Sequence, residues 1–160
     1  MNSNSVILLI GNCGSGKTWV MKQIIHEYKL NQKAKVGKFV FQTNGTLSVL
    51  GNYDGSMFEG SDKLSMSIMT DCGLMETVAK KHGMKIICEG DRFTNTTFIQ
   101  RFNPTIIKIL DDGSQGRLER KSSQSEQHLK RIRTRVQNTK ANICVENSNH
   151  ALQVIKRMLE

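Results

Sequence analysis

Proline is nearly absent from the 160 residues: Pro104 stands alone, and no low-complexity run accompanies it. A long disordered stretch is therefore not expected. Aromatics make up only 6 %, with one Trp and two Tyr, and no internal repeat stands out. The apolar run nearest the start, Val6 to Ile10, is five residues long and has no basic flank before it. Neither a signal peptide nor a membrane span is expected from it, and the expectation is a cytoplasmic protein. Cysteines are few and scattered, at 13, 72, 88 and 144, without metal-ligand spacing. A disulfide framework is not expected, and Cys88 and Cys144, inside apolar runs, are expected to be buried thiols. Acidic residues are also scarce. With 23 Lys and Arg against 14 Asp and Glu, the formal charge is +9, which admits a polyanionic partner. The length suits one domain spanning 1–160.

What is present alternates. Val6-Ile7-Leu8-Leu9-Ile10 reads as a strand buried on both faces, and Thr18 to Tyr28 as a helix with Trp19, Val20, Ile24 and Ile25 at helical spacing. Residues 38–42 and 46–50 are β-prone and flank Thr43-Asn44-Gly45, a hairpin signal. Residues 51–69, with Gly51, Gly55 and Gly60, read as a long functional loop. A helix is expected over 70–81, with Leu74, Met75 and Val78 on one side and Gly83 past its end. Strands follow at 84–88, 105–110 and 142–146, a short helix at 94–101, and a last helix at 149–159 with Asn149 as its N-cap. Residues 115–138 are polar and basic, helical from about Ser125. Alternating strands and helices imply an α/β fold with a mostly parallel sheet covered on both sides. In such sheets ligands bind beyond the carboxyl ends of the strands. The polar and glycine residues gather there, at 11–18, 89–92, 111–117 and 147–149.

The first of these segments, Gly11-Asn12-Cys13-Gly14-Ser15-Gly16-Lys17-Thr18, matches G-x-x-x-x-G-K-[ST] between a strand and a helix. Successive backbone amides in such a loop wrap phosphate oxygens, Lys17 would reach the β- and γ-phosphates, and the Thr18 hydroxyl would meet magnesium. ATP with Mg2+ is the expected ligand pair. Glu89 ends an apolar strand and is the expected second magnesium residue, directly or through water. Phosphoryl transfer also needs cations that neutralise spreading negative charge. Between Arg117 and Lys140 there are eight basic residues against Glu119 and Glu126, so 8 − 2 = +6 of the +9 lies there. Arg117 would meet the nucleotide, and Arg131 and Arg135 the transferring group.

Several segments resemble known kinases. Asp91-Arg92-Phe93 is similar to the D/E-R-[YFS] segment of thymidylate and deoxynucleoside kinases, which implies that Arg92 contacts the acceptor or the transferring phosphate. The basic stretch at about 113–138 resembles the lid of nucleoside monophosphate kinases. Glu146-Asn147-Ser148-Asn149 resembles their adenine-side turn, which assigns Asn147 and Ser148 to the nucleotide. Gly51-Asn52-Tyr53-Asp54 with Phe58-Glu59-Gly60-Ser61-Asp62-Lys63-Leu64-Ser65 resembles the "G-x-Y-D…F-x-G-[TS]-D-x-L-S" segment of phage-encoded P-loop kinases of DNA hypermodification. Those enzymes phosphorylate the hydroxymethyl group of 5-hydroxymethyluracil within DNA.

The resemblance implies a three-layer P-loop kinase fold with an insertion at about 37–69, a basic lid, and DNA as partner. Asp54 would be the base that takes the hydroxyl proton, with Asp62 and Asp91 behind it. Tyr53 and Phe58 would stack on a flipped nucleotide. A nucleoside or nucleotide kinase with a free small acceptor is the alternative. A non-catalytic nucleotide switch is disfavoured because no N/T-K-x-D signature is present.

Overall fold

The computed structural model describes residues 5–55, 59–61, 64–120 and 123–160. Seven strands form one sheet, in the order β2-β3-β4-β5-β1-β6-β7. They are β1 (Val6–Ile10), β2 (Gln32–Val36), β3 (Phe39–Thr43), β4 (Leu47–Leu50), β5 (Lys85–Glu89), β6 (Thr105–Ile109) and β7 (Ile143–Val145). The pairings from β4 through β5, β1 and β6 to β7 are parallel, and β2 and β3 add an antiparallel edge. The helices are α1 (Lys17–Glu27), α2 (Cys72–His82), α3 (Thr96–Phe102), α4 (Ser114–Glu119), α5 (Glu126–Asn138) and α6 (Ser148–Leu159).

Side-chain alternation along β1 splits the core in two. Val6, Leu8 and Ile10 pack with Cys72, Met75, Phe98 and Phe102 of α2 and α3. Ile7 and Leu9 face the other way, onto Val20, Met21 and Ile24 of α1 and Ala151 and Ile155 of α6. Helices thus cover both faces, as a parallel sheet requires. All five parallel strands carry their carboxyl ends to one edge.

The sheet absorbs part of what the sequence suggests is an insertion. The hairpin at Asn44-Gly45 forms, with the Asn44 side chain accepting from the amides of Thr46 and Leu47. Its second arm, β4, then joins the parallel core beside β5. The meander also begins earlier than expected, at Gln32. β2 alternates exposed lysines on an edge, a pattern without the apolar run that marks a strand.

Three expectations need correction. Cys144 is exposed, because β7 is an edge strand and this residue points outward. Leu74 is also exposed, because α2 turns Cys72, Met75 and Ala79 inward. Asn147, rather than Asn149, caps α6, its side chain accepting from the His150 amide at 3.0 Å. The onset of α5 agrees with the sequence: Ser125 is its N-cap, accepting from the His128 amide. Among the described residues no helix is long and apolar enough to cross a membrane.

Candidate phosphate-binding and metal site

The loop from Gly11 to Gly16 joins β1 to α1 at the carboxyl edge of the sheet. No side chain caps α1, so the amides of its first turn are left to a ligand or solvent. Two polar atoms in this loop, Asn12 Oδ1 and Ser15 Oγ, are buried without a hydrogen-bond partner. Buried polar groups are rarely left so; a phosphate oxygen would accept from the Ser15 hydroxyl, while Asn12 Oδ1, an acceptor, would take a donor such as water. Lys17 folds over the loop, donating to the carbonyls of Gly11 at 2.9 Å and Asn12 at 3.0 Å. A phosphate oxygen in the same place would give its ammonium a charged partner in exchange.

Sheet register brings the acid to this loop. Leu9 of β1 pairs with Glu89 of β5, and Leu9 faces α1. Glu89 therefore projects to the same side and meets the first turn of α1. The Thr18 hydroxyl donates to Glu89 Oε1 at 3.1 Å, across 71 residues of sequence. Glu89 is only 4 % exposed. Its neighbour Cys88 points the opposite way, and burial, with Glu89 nearby, pushes its thiol well above the ordinary range.

The residues fit a magnesium–nucleotide pair. Among the described residues no group of three or more His, Cys, Asp or Glu could hold a metal by itself. Magnesium bound to a nucleotide does not ask for one, since phosphates and water supply most of its oxygen ligands. Thr18 and Glu89 are the protein groups that would share it.

A clamp on the loop was not foreseen. The start of α4 lies against the loop between β1 and α1 so closely that three glycines are required. A Cβ on Gly14 would collide with the Gly113 carbonyl, one on Gly113 with the Cys13 carbonyl, and one on Gly116 with the Gly14 carbonyl. Arg117 closes the contact, donating to the carbonyls of Cys13 at 2.7 Å and Asp112 at 2.9 Å. Gly116 inside a polar helical pattern was the available sequence signal, since such a glycine usually has a packing reason. On the other flank Ser148 abuts Gly16, where a Cβ would lie 2.7 Å from the serine Cβ. Ser148 thus borders the loop, while the Asn147 side chain is engaged in capping α6.

The remaining predicted residues divide into two groups. Asp91, Arg92 and Arg135 come together. Asp91 Oδ2 accepts from Arg135 Nη1 at 2.7 Å, Arg92 donates to the Leu64 carbonyl at 2.6 Å, and all three line an open cleft of about 460 Å³ with Thr94, Asn95 and Thr134. The cleft opens just past the end of β5. Arg131 is exposed on α5 beside His128, 2.9 Å from its ring nitrogen.

Tyr53 and Asp54 follow β4. Asp54 is exposed and accepts from Asn52 Nδ2 at 3.2 Å. The Tyr53 hydroxyl donates to Glu89 Oε1 at 3.0 Å, and its ring packs on the α1 side of the core. Burial first, then the Glu89 charge, holds this phenol well above its ordinary range, so it remains a donor. Phe58 and Asp62 lie outside the described residues. No protein-family model, curated protein or solved structure matches this chain.

Proposed function

We propose that this chain is an ATP- and magnesium-dependent kinase of P-loop fold that phosphorylates a hydroxyl, the 5-hydroxymethyl group of 5-hydroxymethyluracil in DNA. The observation that carries the phosphotransferase reading is the Thr18–Glu89 contact. A hydroxyl in the first turn after the phosphate loop and an acid at the end of the neighbouring strand are what a magnesium-bound triphosphate needs. The unpartnered Ser15 hydroxyl, able to donate to a phosphate oxygen, adds to it. The DNA acceptor rests on the resemblance of the Tyr53–Ser65 segment and on the charge concentrated in α4, α5 and their flanks. Four free thiols are in keeping with a reducing, cytoplasmic setting.

In this reading the loop amides and Lys17 hold the β- and γ-phosphates in line, and Arg117 keeps the loop in shape from behind. Thr18 and Glu89 would hold magnesium, which when bound would supply positive charge against the charge that develops on the transferring group. Arg92 and Arg135 stand at the cleft beyond β5, where an acceptor would approach. Asp54 takes the acceptor proton. Asp91 is less available, because its carboxylate holds Arg135.

The test supplies ATP labelled at the γ-phosphate with hydroxymethyluracil DNA, thymine DNA and the free hydroxymethyl nucleoside. Label is expected in the modified polymer alone, and Lys17→Ala is expected to abolish it while leaving the fold intact. Label in the nucleoside alone would make this a small-molecule kinase. Full activity in Lys17→Ala would remove the phosphate-loop assignment.

A further inference from the structure

Glu89 is the one acid among the buried polar residues described. A buried carboxylate must be held by donors, and those donors set its direction. Thr18 Oγ1 at 3.1 Å and Tyr53 OH at 3.0 Å are among them, both on Oε1. Thr18 can keep its hydroxyl hydrogen bond to Glu89 and still offer an oxygen lone pair to a cation. The Tyr53 hydroxyl also reaches the Leu50 carbonyl at 3.5 Å, and the shorter contact, at 3.0 Å, is the one to Glu89.

The chain around Tyr53 is built to keep it there. Asn52 and Gly60 exchange backbone hydrogen bonds at 3.1 and 2.7 Å, closing the segment on itself. Glu59 pairs with Lys22 of α1 and accepts from the Gly55 amide at 2.7 Å. Lys33 of β2 donates to Asn52 at 3.0 Å. Gly60 then presses on the acid itself: a Cβ there would lie 2.5 Å from Glu89 Oε1 and 3.3 Å from the Tyr53 hydroxyl. Its φ of 80° disfavours any other residue as well.

We propose that Tyr53 is a positioning residue, seated by the Asn52–Gly60 closure, that orients the Glu89 carboxylate toward a divalent cation shared with Thr18. The inference rests on the phosphotransferase reading. It also reassigns Tyr53, from a ring that stacks on an acceptor base to a hydroxyl that acts through Glu89. Removing an outer partner of this kind typically costs about 10- to 100-fold in metal affinity or activity.

Calorimetric titration of ATP at a series of Mg2+ concentrations separates the possibilities, with thermal melting of each protein as the check on folding. Tyr53→Phe keeps the ring, and so keeps any stacking, but removes the donor. Its half-saturating Mg2+ is expected to rise about 10- to 100-fold with ATP affinity in the absence of magnesium unchanged. Glu59→Ala, which unties the Tyr53 segment from Lys22 and the Gly55 amide without touching Glu89, is expected to shift Mg2+ dependence the same way, and it decides if Tyr53→Phe does not fold. Folded variants with the wild-type Mg2+ midpoint would overturn the role of Tyr53 and leave the kinase reading standing. Wild-type protein whose ATP binding ignores magnesium would overturn both.

Discussion

Asp54 and Asp91 are the two described carboxylates that could take the acceptor proton, and their surroundings differ. Asp91 is bound to Arg135, while Asp54 sits one residue from the tyrosine that touches Glu89. Asp54→Asn is expected to lower turnover by roughly 100- to 10,000-fold, the usual worth of a general base. ATP affinity, measured separately, should hardly change. A wild-type rate would move the role to Asp91.

The cysteines offer a second residue-scale measurement. Burial pushes the thiols of Cys72 and Cys88 above their ordinary range, so both lack thiolate as well as access. Cys144 is exposed and Cys13 is partly so, within the phosphate loop. A thiol reagent followed by mass spectrometry should modify Cys144 and Cys13 in the native protein, and Cys72 and Cys88 only after unfolding. ATP with Mg2+ should protect Cys13 and leave Cys144 reactive. Equal protection of the two, or of neither, would speak against nucleotide in the loop.

Among the elements, α4 is the least conspicuous in sequence and the most tightly placed. It is six residues long, none of them buried, and its helical run contains Gly116. Propensity alone says that Gly116→Ala should stabilise it by up to about 1 kcal/mol. The structure says the reverse, because the new methyl meets the Gly14 carbonyl. Overpacking of this kind costs about 1–3 kcal/mol. If that strain falls on the loop, ATP affinity should drop roughly 5- to 150-fold without a rise in melting temperature. A stabilised variant with unchanged ATP affinity would show that α4 can move off the loop freely. Legibility differed between elements for a related reason. The runs that became β1, β5 and β6 carry their own apolar signal, and Ser125 marks the start of α5 by its own chemistry. β2 and α4 have little apolar residue to show, and they exist because β3 and the loop between β1 and α1 receive them.

For the whole molecule, the surplus positive charge is the property to test. Of the basic residues of α4, α5 and the segment up to Lys140, Arg135 of α5 lines the cleft with Asp91, and Arg117 of α4 lies against the loop between β1 and α1. If they bind DNA phosphates, affinity for the modified duplex should fall with added salt. The slope of log affinity against log salt is about −0.9 for each phosphate neutralised. Binding of a free nucleoside should show little of this. A flat salt dependence with DNA would make these helices a solvated basic face.

The sequence by itself determined the glycine-rich loop between the first strand and helix, the alternation of strands with helices and the sign of the charge. All three are local or additive: eight consecutive residues form the loop, the central strands announce their own burial, and charges simply sum. Tertiary structure decided which residues become partners. Nothing local states that β5 lies beside β1 in a register that turns Glu89, and not Cys88, toward Thr18. Nor does it state that Tyr53 reaches the same oxygen, that Cys144 faces outward, or that Gly14, Gly113 and Gly116 fit together only without side chains. Those outcomes depend on strand order and on the parity of the pleat, where a shift of one residue exchanges the two faces.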